Sequence, residues 1–200
     1  GIYEKAIEYF QQAIKIATNT YDKDCHEVAI YRNELGLAYR ALGCYEKAIE
    51  CYQLALVSYL KAYGEDYPEV ATCRNNLGSV YWAQNMHKEA IDYYEQVLTG
   101  DLKVFGENHP NVATTRNNLA TVYLNKGNPE GAKVYLKQAL ASLLNAHGEG
   151  HPKVIICCNN LGTAYQALGE HSKAIEYFHQ AIVNGLKTYG QDHPEVALSF

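Results

Sequence analysis

The sequence predicts an all-α fold in which antiparallel helix pairs stack into a solenoid. Three observations predict it. Blocks of sequence return every 42 residues without insertion. Helix-opening and helix-ending residues recur in the same register. Apolar residues between them follow helical spacing. Asn33-Glu34-Leu35-Gly36 returns as Asn75-Asn76-Leu77-Gly78, Asn117-Asn118-Leu119-Ala120 and Asn159-Asn160-Leu161-Gly162. Tyr3-Glu4-Lys5-Ala6-Ile7 returns as Tyr45-Glu46-Lys47-Ala48-Ile49 and His87-Lys88-Glu89-Ala90-Ile91, then as Ala132 and Ala174 alone. Tyr63-Gly64-Glu65 returns as Phe105-Gly106-Glu107, His147-Gly148-Glu149 and Tyr189-Gly190-Gln191.

The chain reads as a single repeat array over residues 1–200. Residues 1–21 are the second helix of an incomplete repeat. Four repeats follow at 22–64, 65–106, 107–148 and 149–190, and 191–200 start a truncated one. Pro68, Pro110, Pro152 and Pro194 open the first helix of a repeat, where a missing N–H costs nothing. Its apolar stripe in the second repeat is Val70, Leu77, Val80 and Tyr81. It stops at Gly43, Asn85, Gly127 or Gly169, residue types that accept a left-handed conformation. The second helix ends at Gly64, Gly106, Gly148 or Gly190, for the same expected reason. Linkers of a few residues make neighbouring helices antiparallel. The first linker is irregular, with Asp22 in place of Gly and Cys25-His26 in place of Tyr-Pro or His-Pro.

Small residues mark the close helix crossings. Gly36, Gly78, Ala120 and Gly162 lie in first helices, and Ala48, Ala90, Ala132 and Ala174 in second helices. Gly inside a helix costs about 1 kcal/mol against Ala, so its return at one position signals a packing demand. Tyr39, Tyr81, Tyr123 and Tyr165 fill the next turn, with Tyr52, Tyr94, Leu136 and Phe178 opposite. Many of the 18 tyrosines are thereby structural.

The Leu-Gly-x2-Tyr pattern followed by Ala-x3-aromatic resembles the tetratricopeptide repeat, and its 42-residue length resembles the repeats of kinesin light chains. The usual unit is about 34 residues. The resemblance implies a right-handed superhelical solenoid. Arg32, Arg74, Arg116 and Cys158 replace the aromatic residue that opens the family signature. The arginine stems are expected to pack while the guanidiniums reach acidic neighbours. No polar capping element closes either end, so the chain reads as a segment of a longer array. An apolar face at Ile2, Ile7 and Phe10 is then expected to lack its partner helix and to favour end-to-end self-association.

Composition excludes several function classes. Nearly half the chain is hydrophobic and a fifth is charged, which suits a folded soluble domain. No apolar run reaches the roughly 18 residues of a membrane span. The net charge of −5, with both signs scattered, argues against nucleic acid. Cys25, Cys44, Cys51, Cys73, Cys157 and Cys158 have no metal-ligand spacing and read as reduced thiols in a cytoplasmic protein. No phosphate-binding loop, dinucleotide fingerprint, zinc-protease motif or nucleophile elbow occurs. His109, His151 and His193 come one per repeat, too far apart to share a metal whose bonds are near 2 Å. They read as helix-opening rings packed on the neighbouring repeat. Neither enzyme activity nor a cofactor is expected.

The informative surface is the polar face of the first helices, opposite the buried stripe. It carries Asn33 and Arg40, then Asn75, Asn76, Ser79 and Trp82. Asn117, Asn118, Thr121 and Asn125 follow, then Asn159 and Asn160. The resemblance implies that this face lines a concave groove. Each side-chain amide offers donors and an acceptor, matching the main chain of an extended peptide. Asn75 and Asn117, one repeat apart, are expected to meet the same strand, since three residues at about 3.3 Å bridge a gap near 10 Å. The competing reading has the asparagines bonding to one another and stiffening the stack. The function read from sequence is a non-catalytic scaffold binding a protein or peptide partner. Its alternatives are a sensor or regulatory array of a larger ATPase or enzyme, and a structural self-assembly module.

Overall fold

The computed structural model of the chain describes residues 1–20 and 25–189. All elements among them are α-helices: α1 (Ile2–Thr20), α2 (His26–Ala41), α3 (Tyr45–Tyr63), α4 (Pro68–Ala83), α5 (His87–Phe105), α6 (Pro110–Asn125), α7 (Pro129–His147), α8 (Pro152–Ala167) and α9 (His171–Tyr189). Asp22, Gly190, His193, Pro194 and the truncated repeat at 191–200 lie outside the described residues.

The helix signals act locally, as their chemistry requires. Pro68, Pro110 and Pro152 each occupy the opening turn. Each follows a residue held extended, Tyr67, His109 or His151, because the proline ring disfavours a helical residue before it. The two histidines also cap their helices. Their Nδ1 atoms accept from the N–H groups of Asn111 and Lys153, each at 3.2 Å. That is the task an N-cap Ser or Asp usually performs. The rings stack on the residue four earlier, His109 on Phe105 at 4.4 Å and His151 on His147 at 4.1 Å. Tyr67 stacks likewise on Tyr63 at 4.3 Å.

First helices end in a repeated Schellman motif. Gly43, Asn85, Gly127 and Gly169 have φ of 73°, 59°, 78° and 75°. The N–H of the following residue reaches back to the carbonyl of Tyr39, Tyr81, Tyr123 or Tyr165. The N–H of the left-handed residue itself bonds Arg40, Trp82, Leu124 or Gln166, so two orphan carbonyls are satisfied each time. The ends of the second helices differ from expectation. Gly64 has φ 82° and ψ −175°, and Gly148 has φ 78° and ψ 173°. That region is not left-handed helical and is essentially closed to residues with a Cβ. The turn toward the next proline therefore needs Gly itself, whereas Asn85 suffices after a first helix.

The chain divides into two compact units, Gly1–Gly100 and Asp101–Phe200. In the first, α1 packs on α2, α2 on α3 and α3 on α4, and the first helices α2 and α4 also touch. Its core gathers Leu35, Tyr39, Ala48, Tyr52, Leu77 and Val80, with a neighbouring cluster of Ala29, Ala55, Tyr59, Val70 and Cys73. Ile7 and Phe10 pack against that core, which corrects the expectation that they lack a partner helix. Helix α1 docks on α2 as any second helix docks on the next first helix. The apolar residues it leaves exposed are Ile2, Tyr3, Tyr9 and Ile16. In the second unit α6 packs on α7, α7 on α8 and α8 on α9, with α6 touching α8. Its core includes Ala120, Ala132, Leu136, Leu143, Ile155, Leu161 and Tyr165.

The signature arginines behave as their stems and charges demand. Arg74 is largely buried and pairs with Glu65 at 2.6 Å. Arg116 donates to the Glu107 carbonyl at 3.1 Å and faces its carboxylate at 3.6 Å. Arg32 donates to Ser58 Oγ at 3.1 Å. In the fourth repeat Cys158 is fully buried in place of the arginine.

Candidate functional site: the asparagine face of the first helices

In each repeat the asparagines stand one or two residues before the buried Leu of the signature, which turns them off the core stripe. Within the first unit Asn76 Nδ2 donates to Asn33 Oδ1 at 3.0 Å. That oxygen also accepts from Cys73 Sγ at 3.8 Å, and Asn33 Nδ2 reaches Glu34 at 3.4 Å. The second unit repeats the rung, with Asn160 Nδ2 donating to Asn117 Oδ1 at 3.0 Å. In each case the second asparagine of one repeat holds the first asparagine of the repeat before. Four predicted site residues are thus brought together in two pairs.

Two amides stand outside these rungs. Among the described residues, the Asn75 side chain makes no hydrogen bond, and its Oδ1 is buried without a partner. Asn118 is half-buried and its amide is likewise unengaged among the described residues. Asn159 is half-buried. Asn125 ends α6 and is exposed.

The remaining predicted residues divide similarly. Arg40 Nη1 donates to Ser79 Oγ at 2.7 Å, so these two engage each other. Thr121 bonds the Asn117 carbonyl of its own helix at 3.0 Å, a local back-bond common for Thr inside helices. Trp82 is half-buried, and its indole N–H has no partner among the described residues. The face therefore combines asparagine rungs with a few polar groups that have no partner among the described residues.

The sequence reading missed the direction of the rungs and the Arg40–Ser79 bond. Partners 43 and 39 residues apart lie in consecutive repeats, and the repeat period alone does not say which side chains meet. It also missed the capping role of His109 and His151.

Burial pushes the Cys51 and Cys158 thiols up to about 11 and Cys73 up to about 12. Few thiolates form there at neutral pH. Among the described residues no group of His, Cys, Asp and Glu could hold a metal ion, and no helix is long and apolar enough to cross a membrane.

Comparison with known proteins places this geometry. The chain matches the tetratricopeptide repeat over residues 27–103 and 134–184, and related versions of that repeat over 112–153 and 1–20. No curated protein matches it in sequence. Among solved structures, BtubC (BKLC) from P. vanneervenii is 28% identical with a TM-score of 0.86, over 97% of this chain and 77% of that one. The nearly identical TPR-like repeats of a Podosopora anserina protein assigned as a kinesin light chain are 25% identical. Their TM-score is 0.80, over 94% of this chain and 90% of theirs. The quorum sensor NprR from B. thuringiensis shares the fold at 18% identity, with a TM-score of 0.79 over 98% of this chain and 53% of that one. The fold is that of a protein-interaction scaffold. With these matches over most of its length, this all-α array of 42-residue repeats belongs to the tetratricopeptide repeat family.

Proposed function

We propose that the chain binds an extended peptide segment of a partner protein through the asparagine face of its first helices, without catalysing a reaction. The observation that carries this reading is the division of labour among the asparagines. Asn33, Asn76, Asn117 and Asn160 are spent on rungs, while Asn75 and Asn118 make no side-chain hydrogen bond among the described residues, and Asn75 Oδ1 is buried. A buried acceptor without a partner, such as Asn75 Oδ1, costs roughly 1–3 kcal/mol, which a ligand main-chain N–H recovers when it supplies the missing bond. Trp82 lies two turns beyond Asn75 on α4 and offers a large ring for an apolar side chain. In the second unit Asn125 lies two turns beyond Asn118 on α6 and offers a second exposed amide.

The ligand is ordered as it binds, so main-chain bonds supply only part of the affinity and side-chain contacts set the choice of partner. The test is selection of peptides by display on the whole chain, followed by affinity measurement against Trp82→Ala. Selected peptides that share an apolar or aromatic residue and lose affinity on this variant support the reading. Peptides that bind Trp82→Ala and the parent chain equally, with the asparagine variants also unaffected, overturn it.

A further inference from the structure

Between α1 and the two helices of the first repeat lies an open cavity of about 370 Å³ that the asparagine face does not use. Ile14, Leu35, Tyr39, Cys51 and Leu54 form its apolar walls. Lys47 and Glu50 stand among its charged lining. Its volume is within the roughly 300–1,000 Å³ of small-molecule sites.

The origin of the cavity is visible in the other repeats. There the tyrosine that ends the first helix stacks on a tyrosine twelve residues later. Tyr81 stacks on Tyr93 at 5.6 Å, Tyr123 on Tyr135 at 5.6 Å and Tyr165 on Tyr177 at 5.4 Å. In the first repeat the corresponding pair is Tyr39 and Cys51. A thiol replaces a phenol, and both residues line the space. A second change falls on the same wall. Leu54 stands where the later repeats have Gln96, Gln138 and Gln180, and it is 45% exposed. Cys51 leaves Tyr39 without the stacking ring of the other repeats, and Leu54 adds an apolar side chain to the rim.

Tyr39 forms part of the cavity wall and is 9% exposed. Gln11 Nε2 donates to its hydroxyl at 3.0 Å, which fixes the ring from α1. Lys47 Nζ lies over the ring at 5.3 Å from the centroid. Lys173, the equivalent lysine of the fourth repeat, lies 5.2 Å from the Tyr165 ring while Tyr177 stacks on it. The lysine therefore does not take the place of the missing phenol. The high pKa of the buried Cys51 thiol leaves it a small apolar wall and not a nucleophile.

We infer that this cavity is a binding site for a planar aromatic ring of phenol type, which stacks on Tyr39 in the place where Tyr93, Tyr135 and Tyr177 stand in the other repeats. Apolar walls and one stacking face suit a ring, with the polar end of the ligand directed to the charged mouth.

The test uses p-cresol as probe on the whole chain, followed by NMR. Saturable binding with a Kd of about 1 mM or tighter is expected, with shifts at Tyr39, Ile14 and Leu54. Cys51→Tyr supplies the ring covalently and is expected to weaken binding at least ~10-fold while raising the melting temperature. Leu54→Gln, a residue the same fold carries in three repeats, is expected to weaken it severalfold and serves if Cys51→Tyr fails to fold. N-acetyltyrosinamide distinguishes the sources of the ring. Binding of it points to a partner's tyrosine, and binding of p-cresol alone points to a free phenol. Absence of saturable binding, equal binding by folded Cys51→Tyr or by Leu54→Gln, or equal affinity for cyclohexanol overturns the assignment.

Discussion

A Cβ placed on Gly36 would lie 2.6 Å from Cε1 of Tyr52, a ring that is wholly buried. The same closeness returns at Gly78 with Tyr94, at 2.9 Å, and at Gly162 with Phe178, at 2.5 Å. The third repeat has Ala120 at this position and Leu136 opposite, so the added methyl is matched by a smaller partner. The crossing conserves volume, and Gly is required only where an aromatic ring faces it.

Gly36→Ala is accordingly expected to destabilise the chain, although Ala is the better helix former by about 1 kcal/mol. The buried ring cannot swing away, and overpacking of this kind costs about 1–3 kcal/mol. Adding Tyr52→Leu, the third repeat's solution, should make the double variant less destabilised than the sum of the single ones. Denaturant melts of the four proteins in a double-mutant cycle measure that coupling. Strict additivity would mean that the two side chains do not contest one space.

Ala90→Leu is expected to lower stability by roughly 1–3 kcal/mol. Ala90 is fully buried on α5, and three extra carbons there find no space. Because each repeat leans on its neighbours, the loss spreads along the stack. Thermal melting followed by circular dichroism reads it directly. A melting curve that matches the parent would remove Ala90 from the helix crossing.

Asp101 gives a pH prediction of definite sign. It is 7% exposed and accepts a bond from Thr115 Oγ1 at 3.1 Å. Burial raises its pKa, and the Thr115 bond and the nearby His109 oppose that only in part. A carboxyl whose folded pKa is raised binds its proton more tightly in the folded state. Stability from this group therefore falls as pH rises from the ordinary aspartate value, near 3.9, through the folded pKa. Asp101→Asn keeps an acceptor for Thr115 and removes the buried charge. It should melt higher than the parent at pH 7, with the gap closing toward pH 4. A variant that melts lower at pH 7 would show that the ionised carboxylate is favourably held.

The starts of the first helices and their ends were legible in the sequence because proline and glycine act through their own backbone geometry, which needs no knowledge of distant neighbours. Pro68 and Gly43 could be read in isolation. The Gly-aromatic crossings were half legible. The period exposed Gly36, but the reason Ala120 is tolerated lies in Leu136, sixteen residues on, and emerges only when the two are seen to touch. The asparagine face was legible as a face. Its internal bonding was not, because Asn33 meets Asn76 across a repeat boundary and rotamers decide which amide is spent. Cys51 was legible only as one of six cysteines. Its consequence, a ring missing from a stack, depends on the geometry of Tyr39.

The central claim is that the unspent amides, and not the rungs, hold a ligand backbone. Asn118→Ala and Asn160→Ala in the second unit separate the two roles, with a peptide selected on the whole chain as ligand. Asn118→Ala should raise its Kd about 2- to 13-fold, the equivalent of one lost hydrogen bond of about 0.5–1.5 kcal/mol, and leave melting unchanged. Asn160→Ala breaks the 3.0 Å bond to Asn117 and should lower melting in the absence of any peptide. The contradicting result is the reverse pattern, in which Asn118→Ala melts lower without ligand while its folded form binds the peptide as tightly as the parent chain.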